Sequence, residues 1–340
     1  MKKYLSLLLA VLMTASLLAG CGGDTASDDT AADDTASAET GDTAASTGSG
    51  VELKFTTGGD QGTYYGFGTV LAQYVTSNTG SKVTAVVSNG SQDNIEQMDL
   101  NTAQLGFVQS DVMSYAYNGE RLFEGMAVTG FSTVAALYME QVQIVTCDPS
   151  IQSVADLAGK NVSIGASGSG VYYNALDVLA AYGLTEEDIN PTFQDFGNSV
   201  DALQDGKIDA AFIVSGAPTN AITSLAATQD VYLVSLDEEH IAALRETSPY
   251  YSPNTIAADV YGTPEDCTTV AVGAIVIARD DASEDDIYNF VSAIFDNIDE
   301  LAHAKSAELS LEFAASVTDV PYHPGAAKYF TENGFEVSTK

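Results

Sequence analysis

Two rhythms of apolar and polar positions run along the chain. "VELKFTT" (51–57) reads as a strand. Past a glycine-rich turn, Phe67, Val70, Leu71, Tyr74 and Val75 recur at helical spacing, which predicts a helix over 64–78. "KVTAVVS" (82–88) is the next strand, and "SQDNIEQMDLN" (91–101) a helix that Ser91 is placed to cap. "QLGFVQ" (104–109) is a third strand, and "SDVMSYAYNG" (110–119) a short helix stopped by Gly119. The strand–helix alternation predicts a parallel sheet with crossover helices.

The pattern then changes. "VAALYME" (134–140) and "VQIVTC" (142–147) read as two strands with little between them, and "SVADLAG" (153–159) as a capped short helix. A second run follows, with strands at 161–166, 191–196, 209–215 and 231–236 and helices at 170–182, 199–205 and 218–227. "CTTVAVGAIVIA" (267–278) is a long apolar strand, and helical patterns dominate from 283 onward. The result is two α/β units, each opening with strand, Gly-rich turn and helix. The first unit has fewer helices, so the C-terminal helices are expected to return to it. That divides the chain into lobe I (51–143 and 270–340) and lobe II (144–269). Crossing segments near 142–147 and 267–278 form the hinge.

The N-terminus does not share this pattern. Lys2 and Lys3 precede a short apolar run ending in "LAGC", residues 18–21, the small-residue cleavage site of an export signal with a cysteine directly after it. The run is shorter than the roughly 20 residues a membrane span needs. Residues 1–20 are therefore a processing segment, and "LAGC" resembles the lipobox of bacterial lipoproteins, which makes Cys21 the expected lipidated N-terminus. Residues 21–50 hold no aromatic, basic or large aliphatic side chain. Such a segment buries too little apolar surface to offset its ordering entropy, so it reads as an acidic disordered tether, with folded structure expected from Val51.

The 340-residue chain carries a formal net charge of −35. That excludes nucleic acid as a partner, because phosphate neutralisation needs basic patches, and it leaves the processed chain soluble apart from its anchor. No D-x-D-x-D-G calcium spacing is present, and no metal or cofactor is expected. His240, His303 and His323 adjoin no nucleophile in a recognisable motif, and no G-x-S-x-G elbow occurs, so catalysis is not expected. Cys147 ends one crossing strand and Cys267 begins the other, which leaves two states open: a Cys147–Cys267 disulfide or two free thiols.

The chemistry concentrates in two turns, "TGGDQGTYYG" (57–66) and "GASGSGVYY" (165–173). Glycines allow close approach of a ligand to the backbone. The helix that follows points unpaired N–H groups and a partial positive charge at the turn, an anion site without a cationic side chain. Neither turn is a nucleotide fingerprint. "SNGS" (88–91), "QSD" (109–111) and "SGAP" (215–218) lie at further strand ends, where ligands of open α/β sheets sit. A cleft between two lobes then brings two helix starts onto one small carboxylate.

"FTTGGDQGTYYGFGTVLAQYV" (55–75) resembles the N-terminal motif of the TAXI family, the substrate-binding subunits of one class of TRAP transporters. "SNGSQDNIEQMDLNTAQLGFVQSDVMSYAYNG", "IGASGSGVYYNALDVLAAYGLTEEDI", "DAAFIVSGAPTNAI" and "YHPGAAKYFTENG" continue the likeness in order, from 51 to 334. The resemblance implies a two-lobed type II periplasmic-binding-protein fold with a two-strand hinge and an interlobe ligand cleft. It implies a monomer that captures a small carboxylate, such as glutamate or a related amino acid or dicarboxylate, and delivers it to a TRAP-type membrane permease. Carried over by motif, the ligand contacts are Gly59, Thr63, Tyr64, Ser91, Gln109, Ser167, Ser169, Gly170 and Gly216. Val171 stands where many members have Thr, which removes a hydroxyl donor. Arg121, Arg245 and Arg279 lie outside the motifs, so no arginine clamp is expected. A ligand-binding sensory lipoprotein and, more distantly, a two-lobed lipoprotein enzyme are the alternatives.

Overall fold

The computed structural model describes residues 48–340. The leader, Cys21 and the tether up to residue 47 lie outside the described residues. Contacts begin slightly before Val51: Ser49 donates its backbone N–H to Asp286 Oδ1 at 3.1 Å, and its hydroxyl bonds the same carboxylate.

The first half is built from strand β1 (Glu52–Thr56), helix α1 (Thr63–Asn78), β2 (Lys82–Val86), α2 (Ser91–Asp99), β3 (Leu105–Gln109) and α3 (Ser110–Asn118). β1 pairs in parallel with β2 and β3, as the alternation predicts. α1 turns Phe67, Leu71 and Val75 fully inward, each burial contributing roughly 1.5–3 kcal/mol. α3 ends at Gly119 in the left-handed conformation, φ 71°.

The long strand β4 (Phe131–Thr146) follows. It is a single 16-residue strand where the sequence pattern suggests two. The polar break at Glu140 and Gln141 reads as an interruption, yet the backbone ladder runs straight through it. The second half comprises β5 (Asn161–Ser163), α4 (Gly170–Ala181), β6 (Asn190–Thr192), α5 (Phe196–Gln204), β7 (Ala210–Ser215), α6 (Asn220–Ala226), β8 (Tyr232–Leu233), α7 (Glu238–Thr247) and β9 (Ser252–Ile256). β10 (Cys267–Arg279) returns, followed by α8 (Glu284–Phe295), α9 (Leu311–Ala314) and α10 (Pro324–Glu332). β6 and β8 are shorter than the apolar pattern suggests. β9 and α7 are not legible in it, because α7 shows only two buried positions, Ile241 and Leu244, on an otherwise polar surface.

All strands join one mixed sheet in the order β2-β1-β3-β10-β4-β7-β5-β6, with β8 on β4 and β9 on β10. β4 and β10 are antiparallel and run through both halves: β10 pairs with β3 through Ala274–Ala278 and with β9 through Cys267–Ala271. Helices cover both faces of each half. α8 and α10 contribute Ile287, Phe290, Ile294 and Phe330 to the same core as Phe55, Phe67 and Leu71. A separate core holds Val162, Ile164, Val178 and Phe212.

Cys147 and Cys267 are both free thiols, the first half-buried and the second buried, so the disulfide alternative falls away. Cys267 directs its sulfur to the Val234 carbonyl, away from any bridge. Among the described residues, no helix is long and apolar enough to cross a membrane.

Candidate functional site

β1 and β3 run toward the sheet's middle from one half and β5 and β7 run toward it from the other, so their carboxyl ends meet there, and the helices that follow them start there. Between the halves lies a narrow cleft, partly open to solvent. Gly58, Gly59, Gly62, Thr63 and Tyr64 line it from the turn into α1 and its first residues; Ser88, Gly90 and Ser91 from the turn into α2; and Ser169, Gly170 and Val171 from the start of α4.

The starts of α1 and α2, like those of α3 and α6, have no side-chain cap. α5, α7 and α8 are capped by the side chains of Asp195, Asp237 and Ser283. α1 and α2 begin instead at Gly62 and Gly90, with no side-chain cap. The N–H groups of Tyr64, Ser91, Gly170 and Val171 are used by no hydrogen bond within the described residues. A helix start whose donors are left open to a cavity is built to receive acceptor oxygens.

The residues carried over from the sequence motifs take different places. Gly59, Tyr64, Ser91, Gln109, Ser169 and Gly170 all line the cleft. Thr63 also lines it, but its polar atoms are committed to closure: its N–H donates to Ser215 Oγ at 3.1 Å, and its hydroxyl donates to the Gly216 carbonyl at 3.2 Å while accepting from Ser215 Oγ at 2.9 Å. Gly216 therefore joins the two halves through its carbonyl and is not part of the cleft lining. Ser167 is exposed and faces a neighbouring groove lined by Asn89, Gln194 and Asp195. Ser91 does not cap its helix; its Oγ accepts from the Gln109 N–H at 3.1 Å, tying α2 to the end of β3. Ser169 does cap α4, accepting from the Tyr172 N–H.

Further bonds close the cleft. The Asp93 N–H donates to the Gly168 carbonyl at 3.0 Å, and the Ala221 N–H to the Gln61 carbonyl at 3.3 Å. Gly168 holds φ 82°, a conformation that favours glycine. Gly170 lies so close to Gln109 that a Cβ would stand 1.6 Å from Oε1. Behind the cleft, Arg121 pairs with Asp177 at 2.9 Å, Tyr251 donates to Asp177 at 3.1 Å, Asn174 donates to Tyr251 at 2.8 Å, and Gln109 donates to Asn174 Oδ1 at 2.9 Å.

Two buried acids accompany this network. Asp111, fully buried, accepts from Asn174 at 2.9 Å, and burial pushes its carboxyl up to about 7. Glu140, 2 % exposed, lines the cleft beside the phenols of Tyr64 and Tyr138, and burial pushes it up to about 8. Burial likewise raises both phenols well above 10. Sequence reasoning missed Glu140, Asp195 and Phe196, which also line the cleft, whereas Ser215 of the "SGAP" strand end lines it as that segment suggests. A signal for Glu140 was present: one acid in the middle of the apolar stretch 134–146.

Among the described residues, no Lys, Arg or His side chain lines the cleft. Arg121 and Arg279 are held by Asp177 and Asp281. Each histidine has a structural place: His303 stacks on Phe67 at 4.9 Å, His323 caps α10, and His240 stacks on Tyr182 at 3.7 Å. Among the described residues no group of three His, Cys, Asp or Glu side chains is placed to hold a metal.

Solved structures share this arrangement at low sequence identity. One described as a periplasmic transporter aligns with a TM-score of 0.52 and 13 % identity, over 83 % of this chain and 92 % of that one. A Bordetella bronchiseptica RB50 protein aligns at 0.50 and 16 %, over 84 % and 83 %. The alkanesulfonate-binding protein SsuA of Xanthomonas axonopodis pv. citri, bound to MOPS, aligns at 0.45 and 16 %, over 82 % and 83 %. The mixed α/β fold, a central sheet with helices, is therefore one this chain shares with that periplasmic transporter. The NMT1-like family pattern matches residues 55–334, and the chain belongs to the NMT1-like family.

Proposed function

We propose that this protein is the extracytoplasmic solute-binding subunit of a TRAP-type transporter of the TAXI class. It captures a small carboxylate, such as glutamate or a related amino acid or dicarboxylate, and hands it to a membrane permease. Its two lobes, 51–143 with 270–340 and 144–269, open and close about β4 and β10. Cys21 carries the lipid that holds the mature chain at the membrane surface. The protein acts as a monomer and catalyses no reaction.

The observation that carries this reading is the set of unused N–H groups on Tyr64, Ser91, Gly170 and Val171, contributed by both halves to one cleft. Burying a carboxylate is costly unless its lone pairs are met by hydrogen bonds. These amides meet them and carry the favourable end of the helix dipole. Because the donors come from opposite sides, the ligand contacts both lobes only when they are closed. Its differential contacts shift the open–closed equilibrium. The likeness of the motifs in 55–75 and 164–189 to the TAXI family supports the transporter class.

A thermal-shift screen of amino acids and dicarboxylates tests the reading. A ligand at a thousandfold excess over its Kd raises stability by roughly 4 kcal/mol. Tight binding of a small carboxylate, with uptake by the reconstituted permease dependent on this protein, is the expected result. A ligand that binds outside residues 59–64 and 167–170 refutes it.

A further inference from the structure

The buried end of the cleft is rich in acceptors. Glu140 and Gln109, each 2 % exposed, both line it. Among the described residues, Glu140 Oε2, Gln109 Oε1 and the hydroxyls of Tyr64 and Tyr138 make no well-formed hydrogen bond, although both phenols lie close enough to the Glu140 carboxyl to interact with it. Leaving such atoms buried and unmet costs about 1–3 kcal/mol each, so a closed cleft of this kind is complete only with a donor inside it.

The orientation of Gln109 follows from its neighbours. Arg121 keeps Asp177 as an acceptor, so the Tyr251 hydroxyl donates to Asp177 and accepts from Asn174 Nδ2. That turns Asn174 Oδ1 toward Gln109, which must offer it Nε2. Gln109 Oε1 is thereby left as an acceptor against Gly170 at the cleft wall. The charge inventory points the same way: Glu140 and Asp195 line the cleft, and among the described residues no cationic side chain does.

We propose that Glu140, Gln109 Oε1 and the Tyr64 hydroxyl form an ammonium subsite. It makes the protein select α-amino acids over the matching 2-oxo and 2-hydroxy acids and over dicarboxylates that lack an amine. This rests on the solute-binding reading above and narrows its ligand class. An ammonium group has three donors, as many as the acceptor atoms of this subsite. The unused amides at the starts of α1, α2 and α4 take the carboxylate at the other end of the zwitterion. A dicarboxylate would instead place its second negative charge beside Asp195 and oppose ionisation of Glu140, while the nearby Lys305 is held by Glu308.

Proton linkage separates this from the opposite arrangement, in which a protonated Glu140 donates to a ligand carboxylate. The groups facing Glu140 are Tyr64 of α1, Tyr138 of β4, Asp111 of α3 and Lys305 of the helical turn Ala304–Glu308. Burial keeps Glu140 largely protonated near neutrality. An arriving ammonium ionises it and releases a proton, so affinity rises with pH up to about 8. A donating Glu140 makes affinity level below that pH and falling above it.

The test is isothermal titration of the full mature chain with L-glutamate, L-leucine and L-serine. Each is set beside its amine-free partner: 2-oxoglutarate, 4-methyl-2-oxopentanoate and glycerate. We expect one of the amino acids to bind about 100-fold tighter than its partner, the effect of charge-assisted hydrogen bonds. Its affinity should rise about tenfold per pH unit between roughly pH 6 and 8. Glu140→Gln, with its melting temperature checked, should shrink the discrimination to about threefold or less. If that variant fails to fold, the wild-type pH slope carries the test alone. An amine-free acid that binds as tightly as its amino partner, or an affinity that falls over that pH range, overturns the subsite and leaves the solute-binding reading standing. No binding in either series overturns both.

Discussion

Gly170→Ala separates closure of the cleft from stability of the fold. The added Cβ would stand 1.6 Å from Gln109 Oε1, 2.5 Å from its Cδ and 2.8 Å from Ser91 Oγ. Neither neighbour can give way easily: Gln109 is held by Asn174 at 2.9 Å, and Ser91 Oγ accepts from the Gln109 N–H at 3.1 Å. Both belong to the half opposite α4, so the clash exists only when the halves meet. Overpacking of this kind costs about 1–3 kcal/mol. Charged against the closed state, that weakens ligand affinity by roughly 5- to 150-fold, because apparent affinity scales with the population of the competent form. α4 itself has no objection to alanine, which is the better helix former by up to about 1 kcal/mol. The expected signature is an unchanged or raised melting temperature without ligand, a weakened Kd by titration calorimetry, and a larger radius of gyration in solution scattering with ligand present. Wild-type affinity together with wild-type scattering would refute the reasoning.

Asp111 makes the unliganded protein sensitive to pH. Its folded carboxyl titrates near 7, above the ordinary value near 3.8, so ionisation opposes folding. Stability is highest below about pH 4 with respect to this group and falls as pH rises toward 7, by on the order of a few kcal/mol. Asp111→Asn should flatten that slope in urea melts taken across the range, and an unchanged slope would count against the burial argument. Arg121→Gln removes the pair with Asp177, whose side chain is only 7 % exposed, while Arg121 is 40 % exposed. Discounted for that exposure, ligand affinity should weaken by roughly 3- to 10-fold, and a titration showing no change rejects a role for the pair in closure. The two thiols should react in order without reductant: half-buried Cys147 with a maleimide in the native state, buried Cys267 only on unfolding. A mass two daltons low and an absence of labelling would restore the bridge.

The sequence by itself determined the local grammar of this protein. Helical spacing of Phe67, Leu71 and Val75, the glycine stops and the alternation of strand and helix specify which segments pair in parallel, because these signals depend on residues a few positions apart. The glycine-rich starts of α1 and α4 were legible for the same reason, and with them most of the cleft lining. What required the tertiary structure are properties set by residues far apart in the chain. β4 runs unbroken through Glu140 because its partners β10 and β7 supply the ladder on either side. Thr63 turns out to be a closure contact, and Gly216 its partner, because Ser215 arrives from 152 positions away. Ser167 stands outside the cleft although its neighbour Ser169 lines it, since the turn at Gly168 points the two in different directions. Glu140 was visible only as an acid in an apolar run. Burial among Tyr64, Asp111 and Lys305, each brought from a different element, decides its protonation, and no local pattern encodes a desolvation penalty.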